Sequence, residues 1–198
     1  MTQLLFLIRH APVELNLAVA ADHWTLSAEG RALAERLAAL PILKNVQAVW
    51  SSPEPKAQAT AQPLVDRHKA AFLIHPDLAE LQRGPSNLPD RETYETAVRQ
   101  AFADPDTSSG TWERAGDAQR RIVAAVNEIA AQASGPVAIV SHGLVLSLLV
   151  AYVRGETHVN VEEWRALPLP ALAVMDCDTW QLIEPFQCVK IWENKTFI

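Results

Sequence analysis

The chain has 198 residues and a mass of 21.8 kDa, which suggests one domain or at most two small ones. Apolar residues make up 49% and charged residues 20%, a balance typical of globular proteins that excludes disorder as the main state. With 17 basic against 23 acidic side chains the formal net charge is −6, which argues against a dedicated nucleic-acid binder.

The expected cellular location follows from what the sequence lacks. The cysteines are Cys177 and Cys188 alone, so no disulfide framework is expected and a reducing, cytoplasmic setting is the simplest interpretation. The apolar run near the N-terminus is short and closed by Arg9, unlike a signal peptide. The longest apolar run, residues 144–153, is too short to cross a bilayer. We therefore expect a cytoplasmic protein that binds neither membranes nor nucleic acids.

The first half of the chain alternates short apolar runs with helical segments. The apolar runs predict a buried strand over residues 4–8 and two further strands over residues 46–50 and 71–75. Ser27 is a suitable N-cap for an Ala- and Leu-rich helix that should continue to about Leu40. Ser52 followed by Pro53 predicts the start of a second helix, which should continue to about His68.

The second half begins with a segment of different character. Residues 82–115 contain several prolines and glycines and one helical stretch, residues 92–103. After it we predict a helix over 117–133, a strand over 137–140, a helix over 143–153, and closing strands over 172–176 and 181–184. We predict one domain spanning residues 1–198, with an irregular, lid-like insertion at about residues 82–115.

Strands that alternate with helices predict an α/β fold with a mostly parallel central sheet and helices on both faces. In such sheets, ligands bind beyond the carboxyl ends of the strands. Polar side chains collect at those ends: Arg9 and His10 after the first strand, Lys56 after the second, Glu80 after the third and His142 after the fourth. The sequence has no cysteine pair or histidine pair at metal-ligand spacing, so we expect no metal and no cofactor.

This set of side chains suits the cleavage of a phosphate ester. A neutral imidazole is a nucleophile near neutral pH, which fits His10, and the planar guanidinium of Arg9 can hold two phosphoryl oxygens. His142 begins a helix whose free backbone N–H groups, next to Gly143, would bind an anion. Glu80 could protonate the leaving oxygen and afterwards activate a water molecule.

Four blocks of sequence carry these side chains: Leu7-Ile8-Arg9-His10-Ala11, Ser51-Ser52-Pro53-Glu54-Pro55-Lys56-Ala57-Gln58-Ala59-Thr60-Ala61, Leu78-Ala79-Glu80-Leu81 and Val140-Ser141-His142-Gly143. In this order and spacing they resemble the histidine phosphatase superfamily, the phosphoglycerate-mutase-like proteins. The resemblance implies a three-layer α/β/α sandwich and a phosphohistidine intermediate on His10. It also implies that Arg9 and His142 bind the phosphoryl oxygens, that Glu80 donates the proton, and that Asn16 helps to bind phosphate.

Three positions depart from the pattern of that family. Ala11 stands where the usual motif has glycine, Val13 where it has threonine, and Lys56 where it commonly has arginine. Lysine keeps the positive charge but loses the bidentate fork of arginine. Because Pro53 and Pro55 lack amide N–H groups, we expect anion binding at this helix start to depend on the Lys56 ammonium.

Several side chains have competing interpretations. Asp77 and Glu113 compete with Glu80 for the role of proton donor, and Lys56 could instead be a solvated helix residue. Arg83, Arg91 and His23 could either line the entrance of the pocket or lie on the surface. Trp24 and Trp112, in predicted loops near the pocket, could form the floor of a substrate site.

Three functions are compatible with these residues. The first is a metal-independent phosphomonoesterase, similar to histidine acid phosphatases, that acts on a small phosphorylated metabolite. The second is a mutase that moves phosphate between hydroxyls. The loop-like insertion favours hydrolysis over such a transfer of phosphate between hydroxyls, because a mutase must exclude water from its active site. The third is a non-catalytic module that binds a phosphate ligand. The substrate and the oligomeric state stay open, with a homodimer as one candidate.

Overall fold

A computed structural model describes residues 3–84, 90–108 and 110–195. Within them the strands are β1 (Leu4–Arg9), β2 (Ala48–Ser51), β3 (Ala71–Ile74), β4 (Val137–Ser141), β5 (Ala171–Asp176) and β6 (Gln181–Cys188). The α-helices are α1 (Ala28–Ala38), α2 (Pro55–His68), α3 (Arg91–Ala103), α4 (Ala115–Gln132), α5 (Gly143–Val153), α6 (Val161–Ala166) and α7 (Val189–Glu193). Short 3-10 turns lie at Ala21–His23, Pro41–Leu43 and Pro76–Leu78.

The strands form one sheet in the order β3-β2-β4-β1-β5-β6. The first four strands of the chain pair in parallel, whereas β5 pairs antiparallel with β1 and with β6. The turn between β5 and β6 is closed by the Asp176 carboxylate, which accepts the N–H groups of Asp178 and Thr179. The predicted α/β fold with a mostly parallel sheet is confirmed.

The central strands β1, β4 and β5 are buried on both faces of the sheet, whereas the edge strands β3 and β6 are partly exposed. Along β1, Leu5 and Leu7 point into a hydrophobic cluster formed with α4 and α5, whereas Phe6 and Ile8 point into a second cluster formed with α1, α2 and α7. Helices α3 and α6 also add apolar side chains to the first cluster. Helices α3 to α6 therefore cover one face of the sheet, and α1, α2 and α7 cover the other. The molecule is therefore a three-layer α/β/α sandwich, and the continuous apolar character of β1 is explained by burial on both sides.

Because β1, β2 and β4 pair in parallel, their carboxyl ends lie side by side. The N–H of His10 donates to the Ser141 carbonyl at 3.0 Å, and the N–H of Ser52 donates to the Val140 carbonyl at 2.9 Å. Each of these bonds continues the hydrogen-bond ladder of the sheet one residue beyond the carboxyl end of a strand. The residues that follow β1, β2 and β4, including His142, consequently leave the sheet at one common edge.

Some boundaries differ from the predicted ones, each for a local reason. Helix α2 begins at Pro55, not at Pro53, because a residue before proline favours extended backbone, and Glu54 has φ −73° and ψ 136°. Helices α6 and α7 have six and five residues, too few to show helical periodicity in the sequence. Strand β6 continues to Cys188, beyond the predicted end at residue 184.

The predicted insertion at residues 82–115 contains α3 and the start of α4. Pro85 and Pro89 lie outside the described residues, and the lid-like role of this segment stays a prediction. None of the helices in the described part of the chain is both long and apolar enough to cross a bilayer.

Candidate active site

Two imidazole rings meet at the carboxyl edge of the sheet. His10 follows β1 and His142 follows β4, and the centroids of their rings are 5.2 Å apart with the planes inclined at 58°. Both side chains are buried, His10 being 8% exposed and His142 fully inaccessible. The two histidines, although 132 positions apart in the sequence, therefore face one another at this edge.

The tautomer of His10 follows from its backbone neighbour. Nδ1 lies 2.8 Å from the Ala11 carbonyl, so Nδ1 carries the proton and donates it, which leaves the lone pair on Nε2. Burial lowers the pKa of His10 to about 3; the Ala11 carbonyl opposes this shift, and the charges of Lys56 and Arg9 add to it. His10 is thus a neutral base with one unprotonated ring nitrogen at neutral pH.

Arg9 lies against the first turn of α5. Its Nη1 donates to the Leu167 carbonyl at 2.5 Å, whereas its buried Nε has no hydrogen-bond partner within the described residues. A Cβ atom on Gly143 would lie 3.0 Å from Nε, so the glycine allows the guanidinium to approach the helix closely. The unpartnered Nε is a donor available to an anion.

His142 is held by the polar residues that follow β2. Its Nε2 lies 2.7 Å from the Ser52 hydroxyl and 3.3 Å from Glu54 Oε1, and its buried Nδ1 has no partner within the described residues. Burial lowers the pKa of His142, and the charges of His10 and Lys56 lower it further. When the Ser52 hydroxyl donates to Nε2, the ring proton is on Nδ1, the position from which it could reach a ligand oxygen.

Glu80 caps helix α5. Its carboxylate accepts the N–H groups of Leu144 and Val145 at 3.1 Å each, and the N–H of Leu81 at 3.0 Å. The sequence predicted that the free N–H groups at the start of α5 would bind an anion. For the N–H groups of Leu144 and Val145 this prediction is wrong, because the Glu80 carboxylate already accepts both of them. The candidate acid is instead fixed at the first turn of α5, the helix that begins directly after His142.

The loop that carries Glu80 is fixed from α4. Arg121 donates to the carbonyls of Asp77 and Ala79 at 2.8 Å each and to the Glu80 carbonyl at 2.9 Å. The other edge of its guanidinium binds both carboxylate oxygens of Glu113, at 2.8 and 2.9 Å. Glu113, a competitor for the acid role in the sequence, thus serves as the partner of Arg121.

Lys56 is buried rather than solvated. It is 4% exposed, and its Nζ lies 2.6 Å from Glu54 Oε2 and donates to the Ala21 carbonyl, also at 2.6 Å. Glu54 is itself 7% exposed, and its Oε1 accepts the Glu80 N–H at 2.8 Å. Burial raises the pKa of Glu54, and the Lys56 ammonium opposes that rise. The sequence analysis did not identify Glu54 as a residue of the site. The feature that could have indicated it is an acidic residue two positions before Lys56.

Within the described residues, no hydrogen bond joins Asn16 to His10 or His142. It lies in the exposed loop after β1, where its Oδ1 accepts the Ala18 N–H at 3.0 Å and its carbonyl accepts the Trp24 indole N–H at 2.8 Å. Its side chain closes a local turn. The phosphate-binding role that the resemblance implies for Asn16 stays a prediction.

The remaining candidates divide between core and surface. Trp112 is 5% exposed and packs against Tyr94, so it belongs to the core rather than to a pocket floor. The guanidinium of Arg83 lies 5.3 Å from the centroid of the Tyr94 ring. Burial raises the pKa of Tyr94 to about 12, against the opposing charge of Arg83, which keeps its hydroxyl a donor. Arg91 pairs with Glu95 on the surface, and His23 is exposed.

A family model described as "Histidine phosphatase superfamily (branch 1)" matches residues 5–181. A comparison with curated protein sequences gave no match.

Solved structures share the fold over most of both chains. Bacillus stearothermophilus YhfR is 22% identical, with a TM-score of 0.72 over 91% of this chain and 95% of that one. A mycobacterial glucosyl-3-phosphoglycerate phosphatase in complex with VO3 is 20% identical, with a TM-score of 0.72 over 94% and 98%. An Entamoeba histolytica phosphoserine phosphatase mutant in complex with phosphoserine is 16% identical, with a TM-score of 0.74 over 94% and 98%. At these identities the likeness is one of fold.

Proposed function

The chain belongs to the histidine phosphatase superfamily, and from that premise we propose that it is a phosphomonoesterase of small phosphorylated metabolites. The observation that carries the proposal is the state of His10, a buried imidazole with Nδ1–H bound to the Ala11 carbonyl and with Nε2 unprotonated. Such a nitrogen is a nucleophile at neutral pH, and His142 stands opposite it.

In the first step His10 becomes phosphorylated. The Nε2 lone pair attacks phosphorus while the ester P–O bond breaks, and the leaving oxygen takes a proton from the protonated carboxyl of Glu80. The phosphoryl oxygens are held by Arg9 and by the Nδ1–H of His142, whose other ring nitrogen is occupied by Ser52. The ammonium of Lys56 adds positive charge next to them.

In the second step water cleaves the phosphohistidine. Glu80, now a carboxylate, removes a proton from a water molecule as the water oxygen bonds to phosphorus, and the P–Nε2 bond breaks. Inorganic phosphate leaves and Glu80 is again protonated. The Leu144 and Val145 N–H groups that hold the carboxylate keep it in one place through both steps.

Support for hydrolysis rather than group transfer within one metabolite comes from the structural neighbours. Two of them are described as phosphatases, acting on glucosyl-3-phosphoglycerate and on phosphoserine. We propose a soluble phosphorylated metabolite as the substrate and the cytoplasm as the location, in line with the two free cysteines, Cys177 and Cys188. A homodimer is the proposed assembly.

The test is phosphate release from p-nitrophenyl phosphate and from a panel of phosphorylated metabolites, with a chelator present. We expect turnover that persists in the chelator, inhibition by vanadate, and an acid-labile phosphoenzyme on denaturing gels. His10→Ala should abolish both turnover and labelling, whereas His158→Ala, in an exposed loop, should retain them. Turnover that survives His10→Ala would refute the mechanism, and isomer formation without phosphate release would identify a mutase.

A further inference from the structure

We propose that Glu54 is the counterion of the phosphate site: it neutralises Lys56 while the site is empty and takes up one proton when a phosphate dianion binds. This inference rests on the proposed function, since it assumes that the phosphoryl group lies between His10 and His142. The two steps of hydrolysis make no use of Glu54, although it is buried among the side chains that carry them out.

The contacts of Glu54 are all with parts of the site. Oε2 lies 2.6 Å from Lys56 Nζ, Oε1 lies 3.3 Å from His142 Nε2, and Oε1 also accepts the Glu80 N–H at 2.8 Å. Because Glu54 and Lys56 are 7% and 4% exposed, water cannot screen these charges. One carboxylate thus contacts two residues expected to hold phosphate and the backbone of the candidate acid.

The charges around Glu54 already balance before a ligand arrives. The titratable groups that face it among the described residues are Lys56 from its own helix, His142 from the start of α5, and Glu80 from the loop after β3. Lys56 is the cation and is paired with Glu54, His142 is neutral, and Glu80 in the proposed mechanism holds its proton until the leaving oxygen takes it. The positive charge of Lys56 is therefore not free for a ligand.

A phosphate dianion bound at His142 Nδ1 would be separated from this carboxylate, which contacts Nε2, by one buried imidazole ring. Like charges in a buried space favour the protonated form of an acid, and burial has already raised the pKa of Glu54. The Glu54 carboxylate therefore gains a proton from solvent and becomes a neutral carboxyl. Lys56 then loses its anionic partner, and the ammonium, still bound to the Ala21 carbonyl, directs its remaining N–H groups to the phosphoryl oxygens.

Sulfate is a suitable probe, because it remains a dianion over the accessible pH range and any proton taken up belongs to the protein. Calorimetric titration in buffers of different ionisation enthalpy should show uptake of about one proton per sulfate in the wild type. Sulfate affinity should then fall by up to about tenfold per pH unit as the pH rises through the interval in which Glu54 is ionised in the free protein and protonated in the complex. In Glu54→Gln the uptake should fall by more than half, and the pH dependence should flatten.

Two variants make the result specific. Glu184→Gln removes another Glu–Lys pair, the one between Glu184 and Lys195. Glu184 lies on β6, the outermost strand on the side of the sheet away from β2, so this variant should retain the wild-type proton uptake. If Glu54→Gln does not fold, Lys56→Met replaces it: without its cation Glu54 is protonated before sulfate arrives, so uptake is again lost.

Failure of this inference is distinguishable from failure of the proposed function. A wild type that hydrolyses phosphate esters and binds sulfate without proton uptake would overturn the role of Glu54 alone. Unchanged uptake in Glu54→Gln would do the same, because the proton would then belong to a histidine. A wild type that neither binds sulfate nor turns over any ester would overturn both.

Discussion

Arg121, on α4, donates to the backbone carbonyl of Glu80 at 2.9 Å across 41 positions of sequence. The same guanidinium binds the carbonyls of Asp77 and Ala79, and Glu113 occupies its other edge. The place of the Glu80 carboxylate against α5 is consequently set by a side chain whose hydrogen bonds, within the described residues, go to the loop after β3 and to Glu113. Arg121 is a positioning residue, and its planar fork suits a cluster of carbonyl oxygens that a lysine could not satisfy.

Removal of this clamp should impair the proton donor selectively. In Arg121→Gln the loop loses three hydrogen bonds, and we expect kcat on an alkyl phosphate to fall by about 10- to 100-fold through misplacement of Glu80. The fall on p-nitrophenyl phosphate should be smaller, because nitrophenolate leaves without protonation. Steady-state kinetics on both substrates measure this. Arg120→Gln, on the exposed side of the same helix, is the control, and an equal loss on both substrates would contradict the positioning role.

Glu80→Gln should show the same pattern more strongly. Glutamine keeps an oxygen that can accept an N–H of α5, so the helix cap survives in part, but its amide has no acidic proton to transfer to the leaving oxygen. We expect kcat on alkyl phosphates to fall by about 10²- to 10⁴-fold, with a much smaller fall on aryl phosphates that have acidic leaving groups. A series of esters of graded leaving-group pKa measures the effect. Parallel losses across the series would exclude Glu80 as the acid.

Gly143→Ala should weaken substrate binding through Arg9. The added Cβ would lie 3.0 Å from Arg9 Nε and 3.1 Å from Cζ, so the guanidinium must move away from the helix start. We expect KM to rise by roughly 3- to 30-fold, with a smaller effect on kcat, because charge-assisted contacts to the phosphoryl group are lengthened. Vanadate inhibition constants give an independent measurement. Unchanged KM and vanadate affinity would show that Arg9 does not bind the phosphoryl group.

The stability of the protein should fall in acid partly because of His10. Its pKa is about 3 in the fold against an ordinary value of 6.5, so between these values the unfolded chain binds a proton that the folded chain does not. The free energy of unfolding should therefore decrease by up to about 1.4 kcal/mol per pH unit as the pH falls through this range.

His10→Asn removes that contribution. Urea unfolding at about pH 7 and about pH 5 should show a smaller loss of stability in the variant than in the wild type. Equal losses in wild type and His10→Asn would mean that His10 is not buried in its neutral form.

Much of the site could be predicted because its signals are local. A run of apolar residues before Arg9 and His10 indicates a buried strand, and the end of such a strand in a parallel sheet is where ligands bind. The same reasoning applies to β4 and His142. These patterns depend on the strand period and on flanking polar residues, which lie within a few positions of one another.

The partners of those residues could not be predicted in the same way. Glu80 occupies the N–H groups of Leu144 and Val145, 64 residues or more away, and the sequence indicates only that a helix starts there. Likewise, nothing near Arg121 in the chain indicates that it binds the loop after β3. Such contacts depend on which loops meet after the sheet has formed.

By itself, the amino-acid sequence determined the α/β fold, the mostly parallel sheet and the edge where His10 and His142 emerge, because periodicity and strand ends are properties of neighbouring residues. Only the tertiary structure decided how the charges are paired: Lys56 with Glu54, Arg121 with Glu113, and Glu80 with the start of α5. The physical reason is burial. A charge removed from water must find a partner among whatever groups are packed beside it, and packing brings together residues far apart in the chain.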